Sequence, residues 1–215
     1  MIQSIDEKLA RLELPTAPAQ LCEVLNTLMA DSDSYNFVAD RKARKARDCW
    51  IAARFLLAHG QQTGQQYEIT KLITEAPDIE YRDAAQPATT LTIEAAELLS
   101  PNRKRGEEYL RRKQQRDVCE RAGQKYKPPL RPIPHQAIEV ERRAFSNVAS
   151  SVLEGKLRSD YGSNCTLVLY VNLWLFGDEP IREFVATYSP SEPLRFREVW
   201  FLYSGDTIIP LCPTS

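Results

Sequence analysis

Two carboxylate side chains with a spacing suited to metal-ion chemistry lie on short apolar segments separated by a turn. Asp78 opens the segment 78–81, and Glu94 lies within the segment 91–95. Side chains alternate between the two faces of a strand, so Asp78 shares a face with Glu80. If the two segments pair as a hairpin, Asp78 and Glu94 project into one space. Buried carboxylates are costly unless they are paired or bind a cation, so this pair predicts a site for a hard divalent ion such as Mg²⁺.

Both acids also have simpler interpretations that stay open at this point. Asp78 follows Pro77 and could be an ordinary strand-entry or turn residue. Glu94 is flanked by Ile93 and Ala95, and an acid in the middle of an apolar strand is harder to explain without a partner.

The hydrophobic pattern predicts the elements that must position this pair. Three short strands, the first weakly alternating, suit an antiparallel meander. Two fully apolar strands further along, with a helix between them, indicate a parallel crossover inside a sheet covered on both faces. The predicted helices are 5–30 (interrupted at 14–18), 34–58, 103–121, 136–159 and 181–186, and the predicted strands are 67–73, 79–81, 91–95, 166–171, 199–203 and 207–209. This order predicts an α/β fold, with three α/β/α layers around a mixed central sheet.

The length of 215 residues suits a single domain, which we divide into a helical N-terminal extension (1–40) and a core (41–210). Five widely spaced cysteines and only two histidines, His59 and His135, argue against a disulfide framework or a zinc site. No apolar run reaches the roughly 18 residues of a membrane span, and the first residues do not resemble a secretory signal. We therefore expect a soluble, cytoplasmic protein that makes no contact with a membrane.

The net charge of −1 hides two basic blocks on either side of an acidic one. Residues 41–60 carry six basic and one acidic side chain, residues 61–100 carry two basic and seven acidic, and residues 101–131 carry eleven basic and four acidic. This arrangement suits a surface that binds a polyanion beside a carboxylate pocket, although a solvated helical face is the simpler alternative. The candidate nucleic-acid-binding residues are Arg41, Lys42, Arg44, Lys45, Arg103, Lys104, Arg105, Arg111, Arg112 and Lys113.

The order Pro-Asp, hairpin, apolar strand with Glu resembles the PD-(D/E)XK nuclease superfamily, also called the restriction-endonuclease-like fold. The resemblance covers roughly residues 40–210 and rests on Pro77-Asp78 and Glu94. It implies that Asp78 and Glu94 are catalytic metal ligands, that the main-chain carbonyl of Ala95 is a further ligand, and that Glu80 could assist. The implied cofactor is Mg²⁺ or Mn²⁺.

The sequence departs from the family pattern at the motif lysine. That lysine belongs two residues after the glutamate, where this chain has Ala96. Some members of the superfamily recruit a lysine from a neighbouring helix, and Lys156 is the catalytic candidate here. It lies eight residues after Val148 and four after Val152, which puts its stem beside the buried stripe of a helix. The alternative is a lysine that only extends along the helix end into solvent.

Three functions follow from these residues. The first is a Mg²⁺-dependent endonuclease that hydrolyses phosphodiester bonds, with DNA preferred over RNA. The second is a nucleic-acid-binding protein that kept the fold and lost catalysis, as the alanine at position 96 suggests. The third is a protein-interaction module whose basic helix docks an acidic partner. A homodimer is compatible with all three.

Overall fold

The structure is a computed structural model that describes residues 12–31, 41–73, 76–100, 105–126, 135–173 and 177–211. In chain order its helices and strands are α1 (Pro18–Asp31), α2 (Arg41–Thr63), β1 (Tyr67–Leu72), β2 (Ile79–Asp83), β3 (Leu91–Leu99), α3 (Arg105–Arg121), α4 (His135–Leu157), β4 (Cys165–Asn172), α5 (Glu179–Thr187), β5 (Glu198–Tyr203) and β6 (Thr207–Pro210).

The six strands form one mixed sheet in the order β1-β2-β3-β4-β5-β6. β1, β2 and β3 are antiparallel neighbours, which confirms the predicted meander. β3, β4 and β5 run parallel to one another, so the predicted crossover between the two apolar strands is also confirmed. β6 turns back beside β5 as an antiparallel edge strand.

Helices cover both faces of the sheet because the central strands are apolar on both sides. On one face, α1 and α2 pack against inward side chains such as Ile79, Ile93 and Val168. On the other face, α4 and α5 pack against residues such as Leu167 and Phe201. Neighbouring strand residues alternate between these two cores, as the period of two requires. The chain is therefore an α/β protein in three layers.

Helix α1 belongs to the first of these cores. Leu21, Leu25 and Leu28 lie on one face of α1 at helical spacing and are fully buried. The segment before α1 is tied to the sheet by Thr16, which exchanges two backbone hydrogen bonds with Ile69 of β1. The described part of the predicted N-terminal extension thus packs on the sheet. The rest of the extension, residues 1–11 and 32–40, lies outside the described residues.

The C-terminal end of α2 differs from the sequence prediction. The pair His59-Gly60 predicts a helix end near residue 58, but the helix continues to Thr63. A Cβ atom at position 60 would lie 2.7 Å from the backbone oxygen of Gln65. Gly60 therefore allows the chain to fold back closely after the helix and does not terminate it. Among the helices described, none is long and apolar enough to cross a membrane.

Candidate functional site

Asp78 is held at the start of β2 by its own backbone and side chain. Its backbone N–H donates to the carbonyl of Ile93, and its backbone carbonyl accepts from the N–H of Ile73. The side-chain Oδ2 accepts a hydrogen bond of 2.7 Å from the backbone N–H of Ala95. The Asp78 carboxylate thus accepts the hydrogen bond that a backbone carbonyl of a neighbouring strand would otherwise accept from Ala95, the residue after Glu94. Asp78 is only 5% exposed.

Strand β3 continues past the point where β2 begins. The ladder between the two strands covers residues 91–93 of β3, whereas β3 itself extends to Leu99. The N–H and C=O of one strand residue point to the same edge. The carbonyl of Ala95 is therefore directed to the edge that carries Asp78.

Glu94 is buried in the middle of β3, on the face covered by α4. It is 5% exposed, and Lys156 of α4 donates to its Oε1 at 2.5 Å. Tyr161 lies beside this pair, with its hydroxyl 3.4 Å from the Lys156 Nζ. The second oxygen, Oε2, is buried and has no hydrogen-bond partner among the described residues. A buried carboxylate oxygen without a partner is unfavourable unless something else binds it.

The two acids interact electrostatically. Burial raises the pKa of Glu94, and the charge of Asp78 raises it further, while Lys156 and Lys45 oppose both effects. For Lys156, burial alone would lower the pKa of the ammonium, but the hydrogen bond and charge of Glu94 outweigh it and the pKa is raised. Both pKa values rise because burial disfavours the charge of Glu94, whereas Glu94 stabilises the charge of Lys156. Lys156 is therefore a cation at neutral pH.

A second lysine approaches from the opposite face of the sheet. Lys45, in the second turn of α2, places its Nζ 2.5 Å from Asp78 Oδ1. The side chains of Lys45 and Lys156 are 24% and 26% exposed, so each is mostly buried but still reaches solvent. The sequence pattern predicts Lys45 as part of a nucleic-acid surface, and the structure places it on the acidic pair.

Asp48, three residues after Lys45 on α2, is an acidic group of this region that the sequence pattern did not single out. Burial and then the charge of Asp78 raise its pKa to about 7, against the opposing effect of Arg47 and other nearby cations. The sequence did contain one signal for Asp48: it is the single acid of a basic helix and lies three residues after Lys45, on the same helix face. That signal does not reveal burial, which depends on residues distant in sequence.

Glu97, on the α2 face of β3, is a second acidic residue that the sequence pattern did not single out. Arg47 Nε lies 3.5 Å from Glu97 Oε2. Asn172, at the end of β4, donates to Glu97 Oε1 at 2.6 Å. Because side chains alternate, Glu97 faces α2 whereas Glu94 faces α4. The strand continues through this acid because residues from two other elements neutralise and bind it.

Glu80 makes its ion pair with β1. Its Oε1 lies 3.4 Å from the Nζ of Lys71, its partner in the antiparallel register. The side chain is 28% exposed. Such a partly exposed pair contributes little to stability, and it gives no support to Glu80 as a metal ligand.

The basic residues of the two blocks have different surroundings. Arg44 on α2 is exposed, and so are Arg111 and Arg112 on α3, whereas Lys113 is half-buried. None of the α3 side chains described, from Leu110 to Arg121, is buried, so this helix presents most of its surface to solvent. Arg103 and Lys104 lie outside the described residues, as do the side chains of Arg41, Lys42 and Arg105.

The donor set fits a hard cation that keeps several waters. Within the part of the chain that the structure describes, no group of three or more His, Cys, Asp or Glu side chains is arranged to hold a metal. Asp78, Glu94 and the Ala95 carbonyl offer two carboxylates and one neutral oxygen. Mg²⁺ is commonly held by one or two carboxylates, with water completing its six ligands. The unpartnered Glu94 Oε2 is the atom that such an ion would satisfy.

Comparisons of the chain with protein-family models, with curated proteins and with solved structures found no match.

Proposed function

We propose that the protein is a metal-dependent nuclease that hydrolyses phosphodiester bonds in DNA, with RNA as the second possible substrate. The observation that carries the proposal is the buried, unpartnered oxygen of Glu94 beside the second buried acid, Asp78. A chain gains no stability from two neighbouring buried carboxylates, so the pair favours a function that uses them.

The arrangement of the sheet supports the finer proposal of a restriction-endonuclease-like fold. A helix precedes an antiparallel meander, and a parallel strand follows after further helices. Asp78 lies immediately before the second strand of this meander and Glu94 lies on the third, in keeping with the order Pro-Asp, hairpin, apolar strand with Glu. Ala96 is the departure, and it lies on the α4 side of β3 next to the core of that face. Lys156 reaches Glu94 from the same side.

Asp78, Glu94 and the Ala95 carbonyl would hold the metal, which when bound lowers the pKa of water and neutralises charge on the attacked phosphate. Lys156 is protonated at neutral pH, so it can donate hydrogen bonds to a water or phosphate oxygen but cannot act as a general base. Tyr161 restricts the lysine side chain, because the Lys156 Nζ lies 5.5 Å from the centre of the Tyr161 ring. Exposed arginines on α2 and α3 would contact the phosphate backbone without reading sequence.

A cleavage assay tests the proposal directly. Plasmid, linear duplex, single-stranded DNA and RNA are incubated with the protein in Mg²⁺ or Mn²⁺ and in EDTA. We expect metal-dependent cleavage by the wild type and at least a hundredfold loss, on the order of 3 kcal/mol, in Asp78→Asn and Glu94→Gln. Glu80→Gln is the matched control, because it removes the charge of a neighbouring strand acid that contacts β1, and we expect it to stay active. Absence of cleavage on every substrate, or equal activity of all variants, would refute the proposal.

A second candidate function is nucleic-acid binding without hydrolysis. It is favoured by the two ion pairs, because Lys45 and Lys156 already neutralise both acids, and by Ala96 at the motif position. This function predicts binding that weakens steeply with salt and no cleavage with any metal. Charge reversal of Arg111, Arg112 and Lys113 should then weaken binding, and unchanged affinity would reject it.

A further inference from the structure

We propose that Lys45 is a second functional lysine of the site, which binds the attacked phosphate of a nucleic acid from the α2 side while Lys156 acts from the α4 side. This inference rests on the proposed function and deepens it. It also replaces the sequence-based assignment of Lys45 to a general backbone-binding surface.

The geometry around the acids is nearly symmetric. Each carboxylate has one lysine Nζ at 2.5 Å, and the two lysines come from helices on opposite faces of the sheet. Asp78 uses its other oxygen, Oδ2, for the Ala95 N–H, so its contact with Lys45 is made through Oδ1. An ammonium has three donors on a flexible four-carbon stem and can contact a carboxylate and a phosphate oxygen together. The Lys45 side chain also reaches solvent, from which a substrate would arrive.

Counting charges shows what a second lysine adds. Two acids and two lysines sum to zero, which suits a buried site before a cation binds. A divalent cation brings the sum to +2. The attacked phosphodiester carries one negative charge and gains a second as a nucleophile adds, so the transition state matches +2. With Lys156 alone the sum would be +1, which complements the ground state better than the transition state.

Neighbouring charges on α2 strengthen this assignment. Asp48 lies close enough to Asp78 to interact with it electrostatically, but as an acid it supplies no positive charge for a phosphate. Arg47 cannot compensate, because its guanidinium lies against Glu97. Arg44 is exposed on the same helix. Lys45 is therefore the α2 cation for which the structure shows direct contact with the acidic pair.

The test measures DNA binding with Ca²⁺, which occupies hard-cation sites and commonly does not support hydrolysis. A fluorescein-labelled duplex is titrated with wild type, Lys45→Met and Arg44→Met, in Ca²⁺ and in EDTA, with fluorescence anisotropy as the readout. Arg44→Met is the matched control, because it removes one exposed charge one residue away. In Ca²⁺ we expect Lys45→Met to weaken binding by about tenfold, as for a lost charge-assisted hydrogen bond, and Arg44→Met by about twofold to threefold. In EDTA the two variants should differ little, because the unfilled site has no net positive charge to attract phosphate.

Two further measurements distinguish a Lys45 that binds phosphate from a Lys45 that only neutralises Asp78. Lys45→Arg keeps the charge and should retain most of the affinity, which also covers the case in which Lys45→Met fails to fold. Tb³⁺ luminescence should show that Lys45→Met binds the lanthanide at least as tightly as the wild type. Equal losses for Lys45→Met and Arg44→Met in Ca²⁺, or a wild type that does not bind the duplex, would overturn the inference. A clear Lys45 effect without cleavage by the wild type in Mg²⁺ would instead refute only the nuclease proposal.

Discussion

Replacing Asp48 by asparagine should shift the free energy of unfolding in favour of the variant, relative to the wild type, as the pH rises from 4 to 8. Asp48 is mostly buried, and its pKa is raised from 3.8 to about 7, by burial first and then by the charge of Asp78. Each tenfold change in proton affinity corresponds to about 1.4 kcal/mol. The ionised side chain therefore costs the folded state up to about 4 kcal/mol, an upper limit since part of the group meets solvent.

The sign of the effect follows from where the proton is bound. Between pH 4 and 7 the folded wild type keeps a proton on Asp48 that the unfolded chain releases. Its free energy of unfolding therefore falls as the pH rises through this window, by up to about 1.4 kcal/mol per pH unit, and levels off above pH 7. The asparagine side chain of the variant cannot titrate, so the variant lacks this contribution.

Urea unfolding of the wild type and Asp48→Asn at pH 4, 5, 6, 7 and 8, in EDTA, measures the difference directly. The constant part of the difference reflects the shape and hydrogen bonding of the amide, and only its change with pH reports the carboxyl. We expect the difference in unfolding free energy to move in favour of the variant by about 2–4 kcal/mol between pH 4 and 8. Asp117→Asn, on the solvent-exposed helix α3, is the control and should give a constant difference. A difference for Asp48→Asn that does not change with pH would refute the burial and repulsion that we infer around Asp78.

Three further predictions concern the same region. Mn²⁺ at about a hundredfold excess over its dissociation constant should raise the melting temperature of the wild type by about 5–10 °C, measured by differential scanning fluorimetry. The melting temperature of the double variant Asp78→Asn/Glu94→Gln should not rise. Lys156→Met should lower the free energy of unfolding at pH 8 by about 2–3 kcal/mol, because it leaves the buried Glu94 without its cation. Since the pKa of Glu94 is raised, this loss should become smaller as the pH is lowered and Glu94 takes up a proton. A loss that does not change with pH in guanidinium titrations would contradict this. Arg47→Met should destabilise the protein by about 1–3 kcal/mol because the buried Glu97 side chain loses its ion-pair partner. A Glu97→Gln background should remove most of that loss in a double-mutant cycle.

The elements of the sheet could be predicted because their signals are local. The apolar runs around Leu167 and Phe201 mark strands buried on both faces, and the structure places these residues in the core. The β-branched residues of 91–95 predict only the first part of β3. The strand continues through Glu97 to Leu99, and Arg47 and Asn172, which are distant in sequence, bind that acid.

The site could be predicted only in part for the same reason. Asp78 and Glu94 stand out because each is an acid beside apolar strand residues, and Lys156 follows from helical spacing. The contact of Lys45 with Asp78 spans 33 positions and depends on how α2 lies across the start of β2. No local pattern distinguishes Lys45 from Arg44, although one is mostly buried and the other exposed. Whether the fold is restriction-endonuclease-like stays a prediction.

The hydrogen bond from the Ala95 N–H to Asp78 Oδ2 links the register of β2 and β3 to the positions of Asp78 and Glu94. A slip of β3 by one residue would turn Glu94 toward α2 and Glu97 toward α4, exchanging the two buried acids and their partners. The Asp78 carboxylate opposes that slip because it is bonded to one particular amide. Loss of this side chain would therefore disturb folding and the site together, whereas asparagine retains an acceptor for Ala95 and changes mainly the charge.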